Sequence, residues 1–165
     1  MKKIIDTYDK YFLFMEFILS IVLTFVILWM INKYSLQDEV MNVLKGSRSA
    51  LYGAIAGVAG SLLGFVITGL SILLVTGNNS GMNALRSSIY YGQIFKVFLN
   101  TSKYLGLLVV LSLVSLIMDR DTAPLFELNM VVLWGVIIVS FRMLRCLWVL
   151  ENIIGINKKK NKVVP

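Results

Sequence analysis

The chain has 165 residues, of which 58% are hydrophobic and 15% are charged, with a net charge of +7 and a mean hydropathy of +0.80. This apolar share is well above that of a soluble domain. There is no histidine and only one cysteine, which excludes histidine general-base catalysis, Cys/His zinc sites and an intrachain disulfide. We therefore expect no enzyme activity, no cofactor and no metal.

Four apolar runs approach or exceed the roughly 20 residues that a helix needs to cross a bilayer. They are residues 11–31, 51–76, 98–118 and 127–148. The runs are continuous and lack the ten-residue alternation of a membrane barrel, so they favour helices. We predict an all-α fold, an integral membrane four-helix bundle, with residues 1–165 forming a single membrane domain.

The first run carries one acidic residue, Glu16, five residues from its start. We interpret this run as a retained helix, because it begins at residue 11 and lacks a small-x-small cleavage site. A charge at mid-bilayer costs roughly 2.5–3.5 kcal/mol on insertion scales, and less near the edge. Arg142 lies at a similar depth in the fourth run, so we predict a Glu16–Arg142 ion pair, within one subunit or between two. Its role is structural, or it serves gating or transport.

The segment between the first two runs, residues 32–50, contains its own short helix signal. Ser35 and Asp38 resemble a capping box, and Lys45-Gly46 is a helix stop signal. We expect a short helix on the outer surface of the membrane.

The second run contains a stripe of small residues with helical spacing. Its members, separated by 4, 3, 4, 4 and 3 positions, are Gly53, Gly57, Gly60, Gly64, Thr68 and Ser71. They share one side of a helix, and the glycines form two small-x-x-x-small patterns that allow close helix packing in lipid. The stripe either packs inside one four-helix subunit or forms a contact between subunits or the wall of a pore.

Three acidic residues surround the turn before the fourth run, namely Asp119, Asp121 and Glu127. They are hydrated loop charges or, repeated by symmetry, an acidic vestibule that attracts cations. The middle of every run lacks Asp, Glu, Lys and Arg, which disfavours a proton- or ion-coupled transporter.

Basic residues mark the end of the chain. Arg145 is expected to reach the membrane surface with its long side chain. Further along, the tail carries Lys158, Lys159, Lys160 and Lys162. This tail is attracted to anionic lipid, or it docks an acidic cytosolic protein. Cys146 is interpreted as a small packed residue, with lipidation as the alternative.

Charge asymmetry predicts the orientation. With four crossings, twelve of the sixteen Lys and Arg residues lie on the side of the two termini and four on the other. This bias in short loops places both termini in the cytoplasm. The positive charge is therefore an orientation signal, and we expect no direct binding of nucleic acid.

Residues 59–74 (AGSLLGFVITGLSILL) are followed by a short polar turn, an aromatic-rich helix start and a charged final helix. This organisation resembles the small four-helix membrane subunits of bacterial anti-phage defence systems, first the Kiwa membrane protein and second the Hailong membrane protein. Such proteins oligomerise in the inner membrane and are switched by a cytosolic partner. The resemblance implies the same location, assembly and control here.

We therefore expect a homo-oligomeric membrane effector or channel that perturbs membrane permeability when triggered. The small-residue stripe, the helix hydroxyls and the lack of a catalytic set favour it. The alternative is a membrane anchor or sensor that recruits a cytosolic effector through the basic tail. A phage holin is the third hypothesis, although residues 32–50 make its outer loop long.

Overall fold

The computed structural model describes the backbone of residues 2–75, 90–121 and 123–161, and the side chains of residues 14–72, 92, 94–121 and 123–151. Over these residues the fold is all-helical, as predicted. The helices are α1 (Lys2–Lys33), α2 (Gln37–Leu44), α3 (Arg48–Val75), α4 (Tyr90–Met118) and α5 (Phe126–Asn161). All but α2 are long and apolar enough to span a membrane.

The long helices extend beyond the apolar runs that predicted them. The helix α1 begins nine residues earlier than the first run, and α5 continues thirteen residues past the fourth. Backbone hydrogen bonds within a helix are local, so a helix continues into polar sequence until a turn residue ends it. The apolar runs therefore located the helices but not their ends.

The predicted short helix between the first two long helices is present as α2, but its predicted start is wrong. Leu36 occupies the cap position without a side-chain hydrogen bond, and Ser35 has a positive φ of 52°. The hydroxyl of Ser35 therefore does not form a capping box. The predicted stop is confirmed, because α2 ends at Leu44 and Gly46 takes a φ of 79°, which favours glycine.

The long helices pack in the order α3, α4, α5, α1. Among the described residues, α4 packs extensively against α3 and α5, while α1 packs extensively against α5 only. One side of α4 is buried from its middle to its end, at alternating spacings of four and three. The residues on this side are Thr101, Leu105, Leu108, Ser112, Ser115 and, just past the helix, Asp119.

The two neighbours of α4 contribute core residues at seven-residue intervals. Helix α3 contributes Tyr52, Ala59 and Val66, and α5 contributes Val132, Val139 and Cys146. A repeat of 3.5 residues is typical of helices that interlock their side chains along a shared seam. The helices α3, α4 and α5 therefore form one apolar core, and α1 lies at its edge.

The polarity of the described surface is the reverse of that of a soluble protein. Large apolar side chains lie outside, with Phe65 at 80% and Phe25 at 69% exposure. Polar side chains are buried, among them Ser20, Thr101, Ser112, Ser115, Asn129 and Arg142. Soluble domains bury apolar groups and hydrate polar ones. The exposed surface of these helices is suited to an apolar surrounding.

Candidate functional sites

The small-residue stripe of α3 lies on the outside of the chain. All six of its members, Gly53, Gly57, Gly60, Gly64, Thr68 and Ser71, are exposed. A Cβ atom added at any of the four glycines would meet no heavy atom of the described residues within 4 Å. Among the residues that the structure describes, nothing packs on this stripe, so the first of the two interpretations from the sequence, packing inside one subunit, is wrong for them. We refer to these six residues as the glycine face.

The hydroxyls of the glycine face are satisfied within their own helix. Thr68 Oγ1 donates to the Gly64 carbonyl oxygen at 2.9 Å, and Ser71 Oγ donates to the Ile67 carbonyl oxygen at 2.9 Å. These bonds need no second helix, so the face carries no polar group that a lipid or another apolar helix would leave unpaired. The exposed surface at the glycines therefore consists of backbone atoms without side chains.

The glycine that does mediate a close helix contact is Gly135 on α5. A Cβ atom there would lie 2.9 Å from Leu108 Cδ1 of α4, closer than real carbon atoms approach. Gly135 is flanked by Val131 and Val139 at four-residue distance, so it lacks a small-x-x-x-small pattern. Sequence reasoning missed this contact, and the only signal for it was an isolated glycine inside an apolar helix.

The structure brings Glu16 and Arg142 together within one chain. Arg142 Nη1 donates to Glu16 Oε2 at 3.0 Å. Arg145 adds a second guanidinium, with Nε and Nη2 each 2.8 Å from Glu16 Oε1. We refer to Glu16, Arg142 and Arg145 as the Glu16 cluster. The Arg142 guanidinium also lies 5.2 Å from the centroid of the Tyr104 ring.

Arg145 differs from its expected position. The sequence analysis placed it at the membrane surface, but only 13% of its side chain is exposed because it turns towards Glu16. The charge-assisted hydrogen bond to the Glu16 carboxylate replaces the contact with water that the guanidinium would have at the membrane surface. The lysines of the tail fall outside the described side chains at 158–160, and Lys162 lies outside the described residues altogether.

At the opposite end of the molecule, a second buried cluster joins α3, α4 and α5. Arg48 Nη1 lies 2.9 Å from Asp119 Oδ1, and both side chains are almost completely buried. The Tyr52 hydroxyl lies 2.6 Å from Asp119 Oδ2 and 2.5 Å from Asn129 Oδ1. A phenol has one proton, so only one of these oxygens receives it at a time. We refer to Arg48, Tyr52, Asp119 and Asn129 as the Arg48 cluster.

The Arg48 cluster also ties the neighbouring loops. Arg48 Nη2 donates to the Met41 carbonyl oxygen of α2 at 3.2 Å, and the Leu125 amide donates to Asp119 Oδ1 at 2.7 Å. Burial by itself would raise the pKa of Asp119, but hydrogen bonds from Tyr52 and Leu125 and the charge of Arg48 together hold it below its ordinary value. Asp119 is therefore ionised at neutral pH.

The three acids around the turn between α4 and α5 do not form one site. Asp119 is buried, so the interpretation of it as a hydrated loop charge is wrong. The side chain of Asp121 is 46% exposed and lies 3.3 Å from Arg48 Nε, while Glu127 is exposed. Because Arg48 balances this charge within the chain, a cation-attracting vestibule finds no support here. Within the part of the chain that the structure describes, no group of side chains could hold a metal ion.

Cys146 is buried, and its thiol donates to Thr101 Oγ1 at 3.3 Å. This position agrees with a packed residue of the core, since a lipidated thiol has to reach the surface.

Comparison of the chain with protein-family models, with curated proteins and with solved structures gives no match. Its function therefore has to be inferred from its own geometry.

Proposed function

We propose that this protein is a homo-oligomeric, multi-pass protein of the bacterial inner membrane that perturbs membrane permeability when a cytosolic partner triggers it. Anti-phage defence is the setting that the resemblance in organisation suggests. The observation that carries the proposal is the open glycine face on a long apolar helix.

Insertion into a membrane is supported by the reversed polarity of the described surface. Exposed Phe25, Trp29 and Phe65 would each cost free energy in water, roughly 1.5–3 kcal/mol relative to burial. In a bilayer the same side chains face lipid tails. Buried serine and threonine hydroxyls satisfied by backbone carbonyls, such as Thr101 on Val97, are typical of helices in lipid.

The spacing of the two charge clusters fits such a bilayer. Along α5, Asn129 and Arg142 are thirteen residues apart, which corresponds to about 20 Å of helix. A hydrocarbon core is about 30 Å thick, so the two clusters would lie near its opposite edges, and Asp119 lies one residue past the candidate span Ile94–Met118. With both termini in the cytoplasm, the Glu16 cluster lies on the inner side and the Arg48 cluster on the outer side.

Association between subunits is supported by the glycine face. In lipid there is no hydrophobic force between helices, so association depends on close packing, and bare backbone permits it. Within the described chain this face contacts no other helix, and every one of its glycines has open space. A second copy of the chain would bring the two backbones together and form a subunit contact or a pore wall.

The subunit contact is tested with Gly57→Leu and Gly64→Leu. Open space around both positions means that the fold of a single chain tolerates the added side chains, so a change in assembly reports on the contact between chains. The measurement is the particle mass in mild detergent by light scattering, which we expect to fall to that of a monomer. Val58→Phe is the matched control, since it adds bulk to α3 at an exposed position off the glycine face. Unchanged mass in both leucine variants would contradict the proposal.

The activity is tested in bacteria that express the protein during phage infection. A potential-sensitive dye should report depolarisation in cells with the native chain and a retained potential in cells with Gly57→Leu. Cells that die with an intact membrane potential would exclude a permeability effector.

A second function, a membrane anchor that recruits a cytosolic protein, is favoured by the length of α5. This helix continues ten residues past the candidate span Phe126–Glu151, which corresponds to about 15 Å, and its last turn contains Lys158, Lys159 and Lys160. Deletion of residues 156–165 should then release a partner that co-purifies with the full chain. Unchanged co-purification would contradict this function.

A further inference from the structure

The attachment of α1 differs in kind from the packing of the other long helices. In the described part of α1, the buried residues are Glu16, Ser20, Thr24 and Ile31, and only the last is apolar. The α3–α4 contact contains Tyr52, Val66, Phe98 and Leu105 instead. The most apolar positions of α1, such as Phe25 and Trp29, point away from the rest of the chain.

Of the two hydroxyls on the buried side of α1, only that of Ser20 also bonds to α5. Ser20 Oγ donates to the Phe17 carbonyl oxygen at 2.7 Å, and Thr24 Oγ1 donates to the Ser20 carbonyl oxygen at 2.9 Å. Both bonds lie within α1 and persist whether or not α1 touches α5. Across the contact, Trp134 Nε1 donates to Ser20 Oγ at 3.2 Å, and the rings of Phe17 and Trp134 meet edge to face at 6.0 Å.

The ion pairs of Glu16 are the contacts of α1 that lipid tails cannot replace. Its two carboxylate oxygens bind guanidiniums of α5, Arg142 at 3.0 Å and Arg145 at 2.8 Å. Apolar side chains that leave a helix contact in lipid exchange it for contact with lipid tails, so the apolar part of the α1–α5 contact holds α1 more weakly than the more extensive packing holds α3 and α5 to α4. A buried carboxylate that leaves two guanidiniums loses its charge partners in a medium of low dielectric constant, which is expensive.

We propose that α1 is a separable arm of the fold, latched to α5 by the Glu16 cluster, and that α3, α4 and α5 keep their packing when this latch opens. The proposal goes beyond assembly and permeability and does not depend on the glycine face. It identifies α1 as the moving part of the molecule and Glu16 as the group that decides its position.

The test measures two distances between spin labels in the full chain by pulsed electron–electron double resonance. Cys146→Ala provides a background without native cysteine. One label pair, at the exposed positions Val22 and Ser140, reports on α1 against α5, and a second pair, at Val58 and Val110, reports on α3 against α4. Dilution with unlabelled protein removes distances between chains.

We expect Glu16→Gln to remove the main peak of the α1–α5 distance distribution and to leave the α3–α4 distribution unchanged. The charge swap Glu16→Arg with Arg142→Glu should restore the α1–α5 peak, since it again places one carboxylate beside two guanidiniums. Glu127→Gln, the same chemical change at an exposed position of α5, is the matched control and should move neither distance.

The proposal is overturned if Glu16→Gln leaves the α1–α5 distance unchanged or if it alters both distances together. Should the glutamine variant fail to fold, titration of the labelled chain with native Glu16 by sodium dodecyl sulfate decides the question. The α1–α5 peak should then disappear at a lower detergent fraction than the α3–α4 peak, and simultaneous loss would exclude a separable arm.

Discussion

The interior of the α3–α4–α5 core and the outer glycine face of α3 contain the same residue type in opposite situations. Gly135 is small because Leu108 of the neighbouring helix occupies the space where its side chain would be. The four glycines of the glycine face are small although nothing within the described chain occupies that space. Glycine costs about 1 kcal/mol against alanine in a helix interior, and the proposed contact between chains would account for four such residues on one side of a helix.

This contrast separates two kinds of substitution. A change in the interior should lower the free energy of unfolding of one chain, whereas a change on the glycine face should not lower that free energy and should alter association. Each variant below is therefore measured twice, as unfolding by sodium dodecyl sulfate in mixed micelles and as particle mass in mild detergent.

The largest loss of stability is expected for Asp119→Asn. This substitution removes the carboxylate that Arg48 and Tyr52 contact and leaves a buried guanidinium with its main charge partner gone. Breaking a buried ion pair on one side costs on the order of 3–5 kcal/mol. The matched control is Asp121→Asn, at a side chain that is 46% exposed, where the loss should be under about 1 kcal/mol. Equal losses in the two variants would show that the Arg48 cluster does not stabilise the core.

A smaller loss is expected for Gly135→Leu. The new side chain overlaps Leu108, which lies in the core, so α4 and α5 must move apart; overpacking of this kind costs about 1–3 kcal/mol. Gly57→Leu makes the same chemical change on the glycine face, where the new side chain meets open space and leucine favours a helix more than glycine does, so the unfolding free energy should not fall. If the two variants have equal free energies of unfolding, the distinction between a glycine against Leu108 and a glycine with open space beside it is wrong.

Acid should weaken the interior through Asp119. Its pKa in the folded chain is held below that of an unfolded aspartate, about 3.9. The stabilisation is therefore complete above about pH 3.9 and is lost as the pH falls through the lower pKa of the folded chain. The measurement is the unfolding free energy between pH 7 and pH 3. Asp119→Asn lacks the titrating group, so its own profile should be flatter; parallel profiles would contradict this assignment.

The smallest effect on one chain is expected for Gly60→Ala. Alanine favours a helix by up to about 1 kcal/mol, and the open space around Gly60 accepts a methyl group, so the single chain should become slightly more stable. If the glycine face is a contact between chains, the same methyl group should weaken association. A chain that is more stable and also more strongly associated would remove the argument for close backbone contact at this position.

Several features of the site were predictable from the sequence because they follow from local pattern. The apolar runs predicted the long helices, and Lys45-Gly46 predicted the end of α2. The placement of Glu16 and Arg142 at similar depths predicted the residues that the structure brings together, since a charge in an apolar helix needs a partner at its own level.

Other features were not predictable because they depend on which helices are neighbours. The role of Arg48 was missed, since its partner Asp119 lies 71 positions away and appeared in the sequence as one of three loop acids. Arg145 was expected at the surface because nothing in its own helix shows that Glu16 has a second carboxylate oxygen facing it. The close contact of Gly135 is a property of Leu108 as much as of the glycine.

The sequence by itself determined the helical class and the apolar character of the long helices, because hydrogen bonding and hydropathy within a helix depend only on neighbouring residues. The tertiary structure alone decided which small residues have a neighbouring side chain beside them, which charges are buried together and which helix lies at the edge. Small residues allow close approach on every side of a helix, and only the order α3, α4, α5, α1 determines which of those sides meets another helix.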